Sequence, residues 1–565
     1  MKNRPSATIS KNFALGALPT DPHRKTALLI NPPVYDTQYW AEWSQPYGLV
    51  RIAALLRKHR YKHIDFYDFM EATPDSGELD DANSKRVVLK HRIHCDEFYG
   101  EQSGPAPRAR PYRIEKDGEA LELYKYHFGK TWDAFERWVK AKGLAKHPPH
   151  EIYIASVMSY WWESTRDLIT RLRRLMGNKP RIIIGGIYPS IAPDHAARYT
   201  GADIIVAGEV PEANNLWTDL TVYRVKPTYA IITPSRGCPY NCHYCAAKTI
   251  NNGIQQVRFR PVDDIFAEMV DKHERFGIRD FAFYADFLLI RHQDNLMPLL
   301  RKIVDAKKPW RLYAPEGLDT RFLAGSQELC DLLKASHFQK IYLPVENVDD
   351  DILVSLNRKH VKLKHVVEAA KNIERAGFNL RHLDVNGYCL YGLPGESISN
   401  VVQTALFVSD VIGSIIPMLF APVPSTQLFD KYRDYYRQRG WCEPDGMVRD
   451  LHLLNGKLFP FLSMNDGSVE DYIDLQRMMF MLNNNYRSKS FSVFGDGAVS
   501  DSFRKVVANF KKVETETTPI NGRRIEAITR IASEIAPPPI RTKTLEVEPV
   551  AASTVGVKPV KSRLR

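Results

Sequence analysis

Arg236-Gly237-Cys238-Pro239-Tyr240-Asn241-Cys242-His243-Tyr244-Cys245 is the stretch that decides the fold. It gathers three of the seven cysteines into eight residues, spaced C-x3-C-x2-C. The run before it, Tyr229-Ala230-Ile231-Ile232-Thr233, is apolar and partly β-branched and reads as a strand. Gly237 and Pro239 then break regular structure. The thiols therefore fall on a loop at the carboxyl end of a strand, where α/β folds keep their reactive groups. Three soft thiolates suit iron in a sulfide cluster, or zinc. Structural zinc takes four protein ligands, yet no second cysteine pair follows and His243 sits between two of the thiols.

Downstream, strand and helix patterns alternate. Helices over Val262–Phe276, Asn295–Ala306, Gln327–Ala335, His365–Ala376 and Val401–Ile412 separate strands at 280–284, 311–314, 340–345, 383–391 and 414–419. With Tyr229–Thr233 this makes six strand-helix units over residues 223–430, a partial barrel with its active groups at the carboxyl ends of the strands. Upstream, residues 26–222 repeat the alternation. Strands are expected at 25–31, 63–68, 151–156, 181–186 and 203–208, with helices at 48–57 and 163–176. That pattern implies a doubly wound, Rossmann-like parallel sheet whose ligand crevice is lined by Ser156–Tyr160, Gly185–Ser190 and Gly208-Glu209. Residues 71–150 are too long for an ordinary connection and read as an insertion holding Gly104-Pro105-Ala106-Pro107 and an amphipathic helix near Trp132–Val139.

The ends are plainer. Residues 1–25 form a polar arm without pattern, 431–512 a mostly helical C-terminal cap, and 513–565 a tail lacking hydrophobic periodicity, expected to be disordered. Asn455–Phe461 is expected to close over the barrel mouth; a Met/aromatic stripe at Met478–Leu482 reads as core. A hydrophobic content of 44% with 25% charged residues is that of an ordinary globular protein. Neither a signal peptide nor an 18-residue apolar run is present, so a cytoplasmic protein without a transmembrane segment is expected. Cys95, Cys330, Cys389 and Cys442 are scattered and read as reduced, structural thiols. The net charge of +12 is partly local to Lys558, Lys561, Arg563 and Arg565, and no nucleic-acid-reading motif accompanies it. Nucleic acid is therefore not the expected partner.

The cysteine spacing, with the aromatic Tyr244 before the last thiol, resembles the radical S-adenosylmethionine (SAM) superfamily. The resemblance implies a [4Fe–4S] cluster on Cys238, Cys242 and Cys245, with one iron left open to the amine and carboxylate of SAM. One-electron cleavage then gives a 5′-deoxyadenosyl radical. The SAM contacts it implies are Tyr244, Asp286 after the second strand, Glu346 after the fourth, and Gly392 and Glu396 in the turn Gly392-Leu393-Pro394-Gly395-Glu396. Leu356-Asn357-Arg358-Lys359 and Pro422-Val423-Pro424-Ser425-Thr426 also resemble family segments, with Ser425 in place of glycine. The N-terminal loops resemble the cobalamin-binding domain of a large subgroup, which implies Ser156, Gly185, Gly186, Gly208 and Glu209 as cobalamin contacts. The D-x-H-x-x-G signature is absent, Asp21-Pro22-His23 being only a fragment of it, so no lower axial ligand is named. The implied reaction is cobalamin-dependent methyl transfer to an unactivated carbon of a small or lipid-like substrate, with flavodoxin or ferredoxin as electron donor. No catalytic side chain is assigned. Rearrangement, cyclisation or oxidation by the same radical core is the first rival, and a zinc-knuckle RNA-binding protein is the rival of another class.

Overall fold

The structure, a computed structural model, describes residues 7–11, 13–15, 25–37, 45–71, 86–88, 98–100, 112–380, 384–412, 414–469 and single positions from there to Asn483. Asp21-Pro22-His23, Cys95, Gly104–Pro107, most of Met478–Leu482 and the tail from 513 lie outside the described residues.

The N-terminal sheet is parallel throughout. Its order is Thr8–Ser10, Ile204–Val206, Arg181–Gly185, Glu151–Ala155, Thr26–Asn31, His63–Asp68. Without the first strand this is the 2-1-3-4-5 order of flavodoxin-like folds, with the switch point between Thr26–Asn31 and Glu151–Ala155. Alternation along the strands explains the two layers. Leu28, Ile30, Ile152, Ile154, Ile182 and Ile184 pack under the helices Trp132–Ala141 and Trp162–Met176, while Ala27, Leu29, Tyr153 and Ile183 pack under Tyr47–Lys58. Gly177 ends the middle helix at φ +68°, its N–H donating to the Arg173 carbonyl.

Two features differ from the sequence expectation. Part of the polar arm, Thr8–Ser10, pairs with Ile204–Val206 as an edge strand; edge pairing needs only backbone groups, so it leaves no apolar pattern to read. The expected insertion also supplies a layer of the sheet. Its helix Trp132–Ala141, capped by the Thr131 hydroxyl, lays Trp132, Phe135 and Val139 against Tyr67 and Phe69, and Tyr126–Phe128 pairs antiparallel with Val34–Asp36.

The barrel has six parallel strands in two groups. Tyr229–Ile232, Asp280–Phe283 and Arg311–Tyr313 form one, and Ile341–Glu346, Val385–Tyr391 and Ile415–Leu419 the other; the single parallel bridge Leu312↔Phe338 joins them. Phe281, Phe283, Leu312 and Leu343 face the helices. Tyr229, Ile231, Ala282 and Tyr313 form a separate cluster with Tyr284, and Tyr342 stacks on Tyr388 at 5.8 Å. Several tyrosines thus lie on the strand faces turned away from the helices.

The two α/β units share one apolar cluster, in which Leu356, Leu390, Leu393, Phe420 and Phe429 join Ile154 and Ile184. The segment after the sixth strand clasps both. Asp450 accepts from Trp162 Nε1 (3.1 Å) and Tyr112 Oη (3.0 Å), and Asn455 and Lys457 each donate to Asp36 at 3.0 Å. Further on, Asn465 and Asp466 accept from Gly395 N and Ile398 N at 2.8 Å. Asn455–Phe461 therefore binds along the joint between the two units. Met479 is buried in the barrel core. No helix among the described residues is long and apolar enough to cross a membrane.

Candidate active site

The cysteine loop is held from four sides. Gly237, at φ +98°, donates its N–H to Asp286 Oδ2 (2.7 Å), and a Cβ there would lie 2.5 Å from the Gln256 carbonyl. Asp286 also accepts from Asn251 Nδ2 at 2.9 Å. An antiparallel pair, Ser235-Arg236 with Arg258-Phe259, closes the base of the loop. At its tip His243 N donates to the Leu356 carbonyl (3.0 Å), Asn357 Nδ2 to the Asn241 carbonyl (2.8 Å) and Leu428 N to the His243 carbonyl (2.9 Å). Tyr240 takes a hydrogen bond from Arg321 (2.8 Å) and stacks on His360 at 4.3 Å. His243 Nδ1 is engaged with the Ser355 carbonyl at 2.7 Å.

Burial is the main reason the thiols resist ionisation: Cys238 is pushed up to about 12, Cys245 to about 11, and Cys242 upward despite the neighbouring Arg358 guanidinium. Such thiols become thiolates when a metal replaces their protons. Among the described residues no three His, Cys, Asp or Glu side chains converge tightly enough for a single ion. Three soft thiolates on one short loop are a donor set that fits an iron–sulfur cluster.

Around the loop, Glu346 sits at φ +66° where the fourth strand bulges. Tyr244 Oη donates to it at 3.3 Å, and Arg358 lies 3.8 Å from it while donating to Tyr244 Oη at 3.0 Å. Tyr244, Glu346 and Arg358 thus form one polar clamp beside Cys242. The Gly392–Glu396 turn is arranged differently. Glu396 is buried and accepts from Gly392 N (2.6 Å) and Leu393 N (3.3 Å), so its carboxyl braces the turn from within, and burial pushes it up to about 8. Gly392 is buried and adopts φ +81°, a conformation side chains rarely take. Ser425 adopts φ +68° and donates to Thr249 Oγ1 at 3.2 Å.

One acid escapes the sequence reading. Glu316, in the Pro315-Glu316-Gly317 turn after the third strand, keeps solvent-accessible surface although protein atoms crowd around it. Burial, and secondarily the Asp286 charge, push its carboxyl up to about 7. A single acid in a turn carries no motif; only its place at a strand end signals it. Arg358 belongs to Leu356–Lys359, but its role in the clamp depends on contacts that sequence does not show.

The carboxyl edge of the N-terminal sheet faces the same region. Ser156 is buried and its hydroxyl pairs with Thr165 Oγ1 at 2.8 Å, while Gly185 O accepts from Ser156 N. Gly186, at φ +114°, passes so close that a Cβ would lie 2.4 Å from the Ser156 carbonyl. Val157, Met158 and Ile187 are left exposed, at 36%, 37% and 36%. Gly208 N donates to Ser190 Oγ at 2.8 Å, and a Cβ on Gly208 would lie 1.7 Å from Asn252 Oδ1. Glu209 is taken up by Arg258, with Arg236 at 3.8 Å; against the upward push of burial, these guanidiniums hold its carboxyl below the usual range. Gly208 and Glu209 therefore tie the sheet edge to the cysteine loop. The small, apolar remainder of that edge fits one face of a large macrocycle such as cobalamin.

Residues 232–408 match the radical SAM superfamily model. The hopanoid C-2 methylase of Rhodopseudomonas palustris is 23% identical over 288 residues, covering 44% of this chain and 52% of its own length. The bacteriochlorophyllide d C-8(2)-methyltransferase of Chlorobaculum tepidum is 22% identical over 298 residues, covering 45% and 62%. The chain spans 41–62% of the length of these and a third such relative. Among solved structures, the radical SAM methyltransferase TsrM from Kitasatospora setae, with cobalamin and a [4Fe–4S] cluster bound, superposes with a TM-score of 0.53 at 12% identity, covering 91% of this chain and 100% of that one. OxsB, a cobalamin-dependent SAM radical enzyme with aqua-cobalamin and SAM bound, gives 0.50 at 10% identity, covering 91% and 79%. At such identities the likeness is one of fold, and it spans both α/β units.

Proposed function

We propose cobalamin-dependent methyl transfer to an unactivated carbon for this chain, whose residues 232–408 match the radical SAM superfamily model. The carrying observation is the clasp of Glu209 on Arg258, which ties the Rossmann-like sheet edge directly to the base of the cysteine loop. In this reading Cys238, Cys242 and Cys245 hold a [4Fe–4S] cluster, and the edge at Ser156, Val157, Met158, Gly185, Gly186 and Ile187 receives cobalamin. When bound, the cluster supplies the electron that cleaves SAM and the cobalamin supplies a methyl group.

The protein's own part is to position and to exclude. Asp286 fixes the Gly237 amide and so the entry of the loop. Arg358 and Tyr244 set the Glu346 carboxylate at the barrel mouth, where it can take the ribose or amine of SAM. Gly392 lets backbone approach the nucleoside, while Glu396 stiffens that turn from below. The apolar cluster shared by the two units keeps water from the joint, which a carbon-centred radical requires. The substrate is then a small or lipid-like molecule entering between the units, and the electron donor a flavodoxin- or ferredoxin-type protein.

Anaerobic purification with iron, sulfide and cobalt quantitation tests both cofactor sites. Incubation with SAM and reductant then separates outcomes: S-adenosylhomocysteine formed together with 5′-deoxyadenosine is expected, and deoxyadenosine alone would favour rearrangement, cyclisation or oxidation.

A further inference from the structure

Three acids occupy the carboxyl ends of the barrel strands. Asp286 is engaged by the Gly237 amide and Asn251, and Glu346 by Tyr244 and Arg358. Glu316 is different: among the described residues no hydrogen bond or ion pair reaches it. Its turn is nevertheless firmly set. Gly317 N donates to the Ala314 carbonyl (3.1 Å), Leu318 N to the Tyr342 carbonyl (2.7 Å) and Tyr388 Oη to the Pro315 carbonyl (2.5 Å). Gly317, at φ +92°, allows Pro344 and the Tyr388 ring to pack against the turn. The carboxyl is thus held in place, with Asp286 and Tyr284 within electrostatic reach and no cation beside it.

A carboxylate kept unpaired among tyrosines lacks one thing, a positive charge, and aromatic rings favour the same guest. Building on the reading that this barrel binds SAM, we propose that Glu316 is a specificity-determining residue that faces the sulfonium of SAM and so distinguishes SAM from its uncharged thioether product, S-adenosylhomocysteine. The two molecules differ by one methyl group and one unit of charge, so a residue that reads charge binds the reactant and lets the product go. Apolar contacts to the extra methyl group could give a preference of similar size, so the charge-removing variant carries the test.

Equilibrium dialysis of the anaerobically reconstituted full chain with SAM and with S-adenosylhomocysteine tests this. Wild type is expected to hold SAM about tenfold more tightly than the thioether, as a charge-assisted contact would give. Glu316→Gln should bring the two affinities together by weakening SAM, with the thioether changing less than about twofold. Glu316→Asp should restore most of the preference. A Gln variant keeping the wild-type ratio, whether both affinities fall or neither does, would overturn the proposal while leaving the SAM site intact. Should the Gln variant lose its iron, equal wild-type affinities still overturn the proposal. Wild type binding neither molecule would instead bring down the functional reading, and this proposal with it.

Discussion

At the carboxyl edge of the N-terminal sheet the exposed side chains are Val157, Met158 and Ile187; at the carboxyl ends of the barrel strands the acids Asp286 and Glu316 are exposed alongside Met418, with Glu346 half-buried beside Arg358. Both are parallel sheets with helical cover, and both open toward the joint between the units. The difference lies in how each would hold a guest. An apolar edge with close-packed glycine binds by area and shape, whereas a ring of acids binds by charge and hydrogen bonds. The same architecture thus carries two recognition modes side by side, set by a few residues beyond the strand ends.

The sharpest way to separate the two surfaces is to empty one. Replacing Cys238, Cys242 and Cys245 together by alanine should remove the iron and abolish deoxyadenosine formation while cobalt uptake persists, as metal analysis would read. Iron retained at wild-type levels would refute the cluster assignment. The converse variant, Met158→Lys, places a charge on the apolar edge; cobalt content should fall at least about tenfold, the order expected for an unpaired charge against an apolar ligand. Iron content should be unchanged, and an equal loss of both would mean the edges are one site.

Asp36 is the polar exception within the apolar unit. It is fully buried and takes hydrogen bonds from Trp161 Nε1, Asn455 and Lys457. Asp36→Ala removes the acceptor of the buried Asn455 amide and should cost roughly 1–3 kcal/mol in denaturant unfolding. A smaller effect tests the barrel side. The Glu396 carboxyl is raised from 4.5 to about 8 by burial, so the folded state disfavours its charge. Its contribution to stability is therefore fullest below pH 4.5 and is lost as pH rises toward about 8. Glu396→Gln, which keeps an acceptor for the Gly392 amide, should flatten the dependence of unfolding free energy on pH across that window. A dependence identical to wild type would show the carboxyl to be ionised in the folded protein.

Most of the framework was legible because parallel strands buried on both faces read as unbroken apolar runs, such as Ile182-Ile183-Ile184, and because helices such as Val262–Phe276 keep their period. The cysteine loop announced itself by spacing. What escaped was whatever depends on long-range partners. Thr8–Ser10 became a strand through backbone pairing alone. The resemblance marked Glu396 as a ligand contact, yet its carboxyl points into the turn, since two amides of its own loop are the nearest donors. Glu209 was expected in a cofactor crevice and meets Arg258 instead, 49 residues further along. Glu316 had no local signature at all.

The Asp36 contacts also dictate an order of events on the ribosome. Its two side-chain partners from the C-terminal segment, Asn455 and Lys457, lie 419 and 421 residues downstream. The antiparallel ribbon of Val34–Asp36 and Tyr126–Phe128 therefore gains these two partners only after the barrel has been made, Trp161 being the donor available to Asp36 until then. A chain cut short before Asn455 would lack both of these donors to Asp36.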